Sequence, residues 1–371
     1  MTTRTDRKKK LPLRKRILFS FVVLAIFIIL GELIAPVFIK KQYKLQLGMM
    51  NAELIEDREL FWRLKPEFFN ESNSISINRQ GYRDTEFEHT RDPGTVRIAC
   101  MGDSVTYGWK VPQGFTYPDI LEEKLNFSRP SDDTQYEVYN FGVPGYSSLQ
   151  GKILLSKEVV SYNPDILIIS YGINDSRLAL ESDSISYIRN SSSLYNVKAF
   201  FMKSNLYHLL QQIWADWVDQ RERRELSRNQ IRVTPEEFKS NIETMVSIAK
   251  SHSMKVILLS QANTSRNDRL QPYFDIEKQI AESTPDVTYA DAIDMLVSFS
   301  ADEFDAYLRD LSKRFPVSAL DGQKFFDMEL TTPDAERFAA LMVDPVHPNA
   351  AGCAMLGMQL EKLLIQNGLV N

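Results

Sequence analysis

The sequence is poor in residues that bind metals or cross-link chains. Its 371 residues include only two cysteines, Cys100 and Cys353, which lie far apart in apolar stretches without a CxxC spacing. None of the four histidines pairs with another histidine or a cysteine at a metal-ligand spacing. These absences exclude a disulfide-stabilised mini-protein and argue against a zinc site. We therefore predict two buried free thiols, no metal and no cofactor.

The sequence also lacks a basic excess, internal repeats and low-complexity tracts. The formal net charge at pH 7 is −5, although residues 1–16 carry eight basic side chains against one acidic side chain. The remainder of the chain is therefore clearly acidic, which argues against a nucleic-acid partner. With 43% hydrophobic and 25% charged residues, the composition is that of a globular protein with one large domain or two smaller ones.

One long apolar run is present near the N-terminus. Residues 17–39 contain Glu32 as their only ionised side chain and are long enough to cross a hydrocarbon core of about 30 Å. Basic residues 14–16 precede the run directly, so the positive-inside rule predicts a cytoplasmic tail (1–16), a single transmembrane anchor (17–39) and an extracytoplasmic body. A cleaved signal peptide and a buried helix of a soluble protein stay open as alternatives. No A-x-A-like cleavage site follows the run, which favours the anchor.

The body divides into a lead-in and an alternating α/β region. Residues 40–95 show no sustained periodicity and are predicted to form a stalk and lead-in. From 96 to 371, short β-branched runs alternate with helical patterns, which predicts a parallel sheet with helices on both faces. The predicted strands are 96–101, 136–140, 166–171, 255–260 and 287–290, and the predicted helices are 117–125, 148–162, 235–251, 276–283 and 349–366.

Two connections in this region are too long for simple crossovers, and we treat them as insertions, 172–254 and 293–343. Both are rich in large apolar residues, and two interpretations stay open: they roof a cleft and shape an acyl or glycan pocket, or they are extra helices packed on the sheet. The side chains concerned are Tyr195, Phe200, Phe201, Tyr207, Trp214 and Trp217 in the first insertion, and Phe299, Phe304, Tyr307, Leu311 and Phe315 in the second.

Four polar motifs lie where a parallel sheet would gather them. Gly102-Asp103-Ser104 follows the first predicted strand, residues 140–145 follow the second, and residues 172–175 follow the third. Residues 344–347 directly precede the last helix. Each motif alone could be ordinary turn chemistry. Because the carboxyl ends of parallel strands meet at one edge, we expect the motifs to lie close together.

The residue types in these motifs suit acyl transfer. A serine nucleophile needs a base to take its proton and a carboxylate to orient the base, and Ser104, His347 and Asp344 are of these types. The intermediate carries an oxyanion, which needs preorganised donors such as an exposed glycine N–H or a side-chain amide. Gly145 and Asn174 can supply them.

In this order, the four motifs resemble those of the SGNH, or GDSL, hydrolase superfamily, and the resemblance covers residues 94–366. Val105 stands where the family pattern has leucine, which is a conservative difference. The resemblance implies a flavodoxin-like three-layer α/β/α domain with a five-stranded parallel sheet. It also implies roles for particular residues: Ser104 as nucleophile, His347 as base, Asp344 as its orienting carboxylate, and the Ser104 N–H, the Gly145 N–H and the Asn174 amide as the oxyanion hole.

The predicted function is a serine-dependent carboxylic ester hydrolase that removes small acyl groups, acetyl foremost, from an extracytoplasmic glycan or related ester. If a sugar hydroxyl replaces water as the acceptor, the same acyl-enzyme makes the protein an O-acyltransferase of an envelope or secreted polysaccharide. A lipase or thioesterase and a non-catalytic glycan-binding protein are further alternatives. The sequence identifies no protein partner.

Overall fold

The computed structural model describes residues 12–39, 53–71, 75–127, 134–179, 181–192, 195–219, 230–263, 269–297, 309 and 338–370. The chain separates into two compact units. The smaller comprises Met1–Met49 and Ser192–Arg228, and the larger comprises Met50–Ser191 and Asn229–Asn371. Most of the predicted basic tail, the side chain of Trp217 and the five apolar residues singled out in the second insertion lie outside the described residues.

The elements run in chain order as follows. The strands are β1 (Leu54–Asp57), β2 (Phe61–Leu64), β3 (Phe69–Asn70), β4 (Ile75–Ser76), β5 (Thr95–Gly102), β6 (Gln135–Gly142), β7 (Ile166–Ser170), β8 (Lys255–Leu259) and β9 (Val287–Ala290). The helices are α1 (Leu13–Phe38), α2 (Ser104–Tyr107), α3 (Tyr117–Phe127), α4 (Ser148–Lys157), α5 (Asp183–Ser191), α6 (Tyr195–Phe201), α7 (Asn205–Asp219), α8 (Pro235–Ser251), α9 (Gln271–Ser283), α10 (Ala292–Val297) and α11 (Ala350–Gln366). The helix predicted over 148–162 divides into α4 and a 3-10 turn at Val159–Tyr162.

A five-stranded parallel sheet of order β6-β5-β7-β8-β9 organises the larger unit. The predicted parallel sheet is therefore confirmed, with strand ends that differ by at most two residues from the prediction. In the register, Gly102 at the end of β5 lies opposite Gly142 of β6 and Ser170 of β7. The loops that follow these three strands consequently leave the same edge of the sheet side by side.

Helices cover both faces of the sheet, as the predicted three-layer fold requires. Successive side chains of a strand point to opposite faces, so Ile98 and Cys100 pack with α3 and α11 while Ala99 and Met101 pack with α4 and α8. Both cysteines are free and buried, and burial raises the pKa of the Cys353 thiol to about 12.

The segment predicted as a stalk and lead-in differs from its prediction. From residue 53 onward it belongs to the larger unit and forms two antiparallel hairpins, β1–β2 and β3–β4. Leu64, Tyr82 and Phe87 are buried in the core on the α4 and α8 face of the sheet. Strands of two to four residues are too short to show an apolar period, which explains why the sequence pattern does not reveal them.

The smaller unit contains α1, α6 and α7. Helix α1 has 26 residues and contains an 18-residue stretch with a mean hydropathy of 2.9, so it is long and apolar enough to cross a membrane. Part of the first insertion, α6 and α7, groups with α1. The two interpretations of the insertion were a roof over a cleft and extra helices packed on the sheet. Neither of them included a grouping of these helices with α1.

Candidate active site

Ser104 begins helix α2, two residues after β5 ends at Gly102. The turn between them is tight, because a Cβ atom on Gly102 would lie 2.0 Å from Thr106 Oγ1 and 2.9 Å from the Ser170 carbonyl oxygen. Asp103 caps the helix, and its Oδ1 accepts a hydrogen bond from the Val105 N–H at 2.9 Å. Sequence and packing together therefore place the serine at the carboxyl edge of the sheet.

The structure brings three of the predicted residues into one hydrogen-bonded chain. Ser104 Oγ lies 2.8 Å from His347 Nε2, across 243 residues of sequence. On the other side of the ring, His347 Nδ1 lies 2.8 Å from Asp344 Oδ1 and 2.9 Å from Asp344 Oδ2. This is the order that a nucleophile, a general base and an orienting carboxylate require.

Asp344 is held as a carboxylate by its own loop. Partial burial acts to raise its pKa, but hydrogen bonds from the His347 ring and from the backbone N–H of Val346 outweigh that effect, and the pKa of Asp344 lies below its usual value. The loop is closed by a bond from the Val343 N–H to the His347 carbonyl oxygen, and Asn349 then caps α11. The side chain of His347 is 12% exposed and that of Asp344 is 32% exposed.

Gly145 lies in the loop that follows β6. Its φ of +82° is a conformation that favours glycine, and a Cβ atom would lie 3.1 Å from Trp62 Cζ2. Among the residues that the structure describes, no acceptor receives the backbone N–H of Gly145 or of Ser104. Two backbone donors are thus available for a developing negative charge.

Asn174 contacts Asp103, the residue before Ser104, and both of its amide hydrogens are already in hydrogen bonds. Its Nδ2 atom is 2.7 Å from Asp103 Oδ2 and 3.1 Å from the Tyr146 carbonyl oxygen, so each of its two N–H donors has an acceptor. An oxyanion would have to share one of these hydrogens or displace one of the acceptors. Burial raises the pKa of Asp103, whereas the Val105 N–H lowers it.

Asp175, next in the chain, anchors the loop after β7 to the start of α4. It is fully buried, and its Oδ1 accepts hydrogen bonds from the Ser148 N–H, at 3.0 Å, and from the Ser148 hydroxyl. Burial raises the pKa of Asp175 to about 7, against the effect of the Ser148 bonds. The Asn241 amide donates to Ser148 Oγ at 3.0 Å, which ties the loop to α8.

A partly buried arginine that no sequence motif marks supports the Gly145 loop. Arg232 donates to the Gly145 carbonyl oxygen at 2.6 Å and to Gln150 Oε1 at 2.8 Å, and it pairs with Asp183 at 2.7 Å. The side chains of Arg232 and Asp183 are 14% and 8% exposed. Trp62, from the segment predicted as a stalk, stacks under the guanidinium and donates from Nε1 to the Pro144 carbonyl oxygen at 3.0 Å.

One family model and several solved structures are similar to this chain. The model of the GDSL-like Lipase/Acylhydrolase family matches residues 100–355, well over half of the chain. No curated protein matches this chain. The solved structures that this chain resembles include a GDSL-like lipase from Bacteroides thetaiotaomicron, with 14% identity and a TM-score of 0.35. The match covers 73% of this chain and 88% of that one.

Two other solved structures show a similar degree of likeness. LAE5, an α/β hydrolase enzyme from the metagenome of Lake Arreo in Spain, is 16% identical with a TM-score of 0.42, over 76% of this chain and 99% of that one. A mutant of Axe2, an acetylxylan esterase from Geobacillus stearothermophilus, is 18% identical with a TM-score of 0.41, over 72% of this chain and 93% of that one. Likeness at this level says nothing about the substrate.

Proposed function

Because the chain belongs to the GDSL-like lipase/acylhydrolase family and is an ester hydrolase of that type, we propose that Ser104, His347 and Asp344 carry out its chemistry. The observation that supports this assignment is the continuous set of contacts from Ser104 Oγ through the His347 ring to the Asp344 carboxylate, each 2.8 to 2.9 Å long. A serine hydrolase needs these groups in this order.

In the acylation step, Ser104 Oγ attacks the ester carbonyl carbon while His347 Nε2 accepts the hydroxyl proton. Asp344 holds His347 Nδ1–H and stabilises the imidazolium that forms, which its lowered pKa permits because the carboxylate stays ionised. When the tetrahedral intermediate collapses, the alcohol leaves with the proton from His347. The acyl group remains on Ser104 until water, activated by the same histidine, releases it as the acid.

The developing oxyanion is bound, in our proposal, by the backbone N–H groups of Ser104 and Gly145 and by the Asn174 amide. The two N–H groups have no acceptor among the described residues. The Asn174 amide is hydrogen-bonded to Asp103, which directly precedes Ser104. Asn174 joins the other donors when the oxyanion competes with Asp103 or the Tyr146 carbonyl oxygen for one of its hydrogens. Losing one donor of this kind typically costs about 100- to 1000-fold in kcat.

The substrate we propose is a small acyl group, acetyl foremost, on an extracytoplasmic glycan. Helix α1 supports a body held at a membrane surface, and basic residues 14–16 at its start support a cytoplasmic N-terminus. Trp109 lies beside the catalytic histidine, with ring centroids 6.3 Å apart, and is only partly buried. Such an aromatic face is suited to pack against a sugar ring next to the ester.

The test compares full-length protein in detergent with Ser104→Ala on 4-nitrophenyl acetate, 4-nitrophenyl octanoate and an acetylated polysaccharide. We expect acetate to be cleaved faster than octanoate, acetate to be released from the polysaccharide, and Ser104→Ala to lose at least about 1000-fold in kcat/KM. Ser251→Ala, at an exposed hydroxyl at the end of α8, serves as the control and should retain full activity.

Three results would change the proposal. Activity that survives Ser104→Ala would refute the serine mechanism. A preference for octanoate would replace the glycan ester by a lipid ester. If added polysaccharide suppresses release of free acetate and becomes acetylated, the enzyme is a transferase rather than a hydrolase.

A further inference from the structure

Helix α1 carries a charged residue in its apolar run, and the structure gives that residue a partner. The Glu32 carboxylate accepts hydrogen bonds from the Ser204 hydroxyl at 2.7 Å, the Asn205 N–H at 2.6 Å and the Leu206 N–H at 3.1 Å. It therefore caps the N-terminus of α7, whose first N–H groups have no partner within the helix. Glu32 and Ser204 are 172 residues apart in sequence.

The contacts along α1 show that α7 runs in the same direction. Gly31 is packed against Leu206, since a Cβ atom on Gly31 would lie 3.0 Å from Leu206 Cδ2. Further along, the Gln212 amide lies 3.4 Å from the Phe38 carbonyl oxygen. From Gly31 to Phe38 a helix rises about 10 Å. The start of α7 thus lies about 10 Å back from the C-terminal end of α1.

The sides of α6 and α7 that carry large apolar residues are exposed. In α6, Val197 and Phe200 are 54% and 72% exposed, and in α7, Leu210, Ile213 and Trp214 are 54%, 53% and 66% exposed. The spacing of the three α7 residues, i, i+3 and i+4, puts them on one face of the helix. An apolar face of this kind on a monomer marks an interaction surface.

We propose that α6 and α7 lie in the lipid bilayer, inserted into the leaflet where α1 ends, with this face against the acyl chains and the headgroup boundary. The occupant is lipid because α7 packs along α1, whose own apolar side chains are exposed and, as a membrane-spanning helix, face lipid. In this placement the start of α7 lies about 10 Å deeper than the C-terminal end of α1.

The levels of two further residues follow from this placement. Trp214 lies toward the end of the paired helices, near the level at which tryptophan is enriched in membrane proteins. The turn between α6 and α7 is the deepest part of the segment, because α7 begins about 10 Å before the end of α1 and runs in the same direction. Phe200 therefore lies deeper than Trp214. Lys203 is exposed in this turn, and its long stem must carry the ammonium group toward the headgroups.

The test uses the full chain in vesicles of phosphatidylethanolamine and phosphatidylglycerol. Single cysteines are introduced as Phe200→Cys and Trp214→Cys and labelled with an environment-sensitive fluorophore. Lys250→Cys, at an exposed position of α8, is the matched control. Cys100 and Cys353 are buried, so unmodified protein should take up little label. Two kinds of quencher are then compared: iodide dissolved in the water, and a nitroxide attached to the lipids. The nitroxide is placed either deep in the acyl chain or near the headgroup.

We expect the labels at 200 and 214 to emit at shorter wavelength than the label at 250 and to be quenched severalfold more by lipid nitroxide than by iodide. Nitroxide deep in the acyl chain should quench the label at 200 more strongly than the label at 214. Nitroxide near the headgroup should quench the label at 214 more strongly than the label at 200. Quenching by iodide to the level of the control would overturn the proposal, as would the reverse order of depth. Shielding from both quenchers would show that protein, such as a second copy of the chain, covers the face instead.

Discussion

The two halves of the site are built differently. In the proposed mechanism, Ser104, His347 and Asp344 form a reactive half made of three partly exposed side chains. Gly145 and Asn174 belong to a supporting half, in which buried charges hold the backbone. In the supporting half, the Arg232–Asp183 pair and the Asp175 carboxylate contact loops rather than reacting atoms. We infer that the reactive half sets the chemistry and the supporting half sets its geometry.

The difference has a measurable consequence. A substitution in the reactive half should lower the rate and leave the folded protein intact, because the side chains involved contribute few buried contacts. A substitution in the supporting half should lower the rate and the free energy of unfolding together, since it leaves a buried group without a partner.

After Ser104→Ala, the largest effect is expected for Asp344→Asn. The amide no longer stabilises the imidazolium and disturbs the tautomer of His347, so kcat should fall about 100- to 10,000-fold on 4-nitrophenyl acetate. The thermal midpoint should stay within about 2 °C of wild type. Asp286→Asn, at an exposed carboxylate paired with Lys255, is the control and should change neither quantity. A variant that kept wild-type kcat would remove Asp344 from the proposed mechanism.

Asn174→Ala probes the boundary between the two halves. If the amide donates to the oxyanion, kcat should fall about 100- to 1000-fold. Asp103→Asn separates the two roles of the amide, because it removes the charged acceptor of Asn174 and leaves the amide in place. We expect Asp103→Asn to lose less activity than Asn174→Ala. Equal losses in both variants would mean that the Asn174–Asp103 bond, rather than donation to substrate, is what matters.

Arg232→Met tests the supporting half directly. The loss of the guanidinium leaves Asp183 buried without its ion-pair partner, which should cost about 3–5 kcal/mol of unfolding free energy and lower kcat/KM about 10- to 100-fold. Denaturant unfolding and ester kinetics measure the two effects. The control is Arg79→Met, at an exposed arginine paired with Glu86, which should lose neither stability nor activity.

The double variant Asp183→Asn/Arg232→Met then distinguishes position from stability. Neutralising Asp183 removes the uncompensated charge, so most of the unfolding free energy should return. Activity should remain low, because the Gly145 carbonyl oxygen still lacks its donor. Recovery of both quantities would show that Arg232 acts only through stability.

The residues proposed for the reactive half were predicted from sequence because their signals are local. A β-branched run followed by Gly102-Asp103-Ser104 marks a strand and a turn, and Asp344 and His347 sit three residues apart before a helix. The supporting half has no such signal. Arg232 donates to the Gly145 carbonyl oxygen from 87 residues away in sequence. Trp62 donates to the Pro144 carbonyl oxygen, in the same loop, from 82 residues away. The pairing of Glu32 with Ser204 of the α6–α7 turn spans 172 residues, and contacts of this kind appear only when the chain is folded.

The smallest effect concerns a carboxylate that belongs to neither half, Glu277 of α9. It is fully buried, and neither carboxylate oxygen has a hydrogen-bond partner among the described residues. Burial, with Asp175 nearby, raises its pKa well above the usual value. In the unfolded chain Glu277 loses its proton at about pH 4.3, whereas in the folded protein it keeps the proton to higher pH. Its contribution to stability is therefore complete at low pH and decreases as pH rises through this window.

Glu277→Gln removes this titration while preserving the shape of the side chain. We expect its thermal midpoint to equal that of wild type near pH 5 and to exceed it by about 2–4 °C at pH 8, where folded wild type must keep a proton that the unfolded chain releases. Glu282→Gln, at an exposed position of the same helix, should follow the wild-type curve at both pH values. A constant difference between Glu277→Gln and wild type across pH would mean that packing, and not the proton, distinguishes them. Ester hydrolysis should be unchanged, because Glu277 contacts neither the reactive nor the supporting residues through any described hydrogen bond.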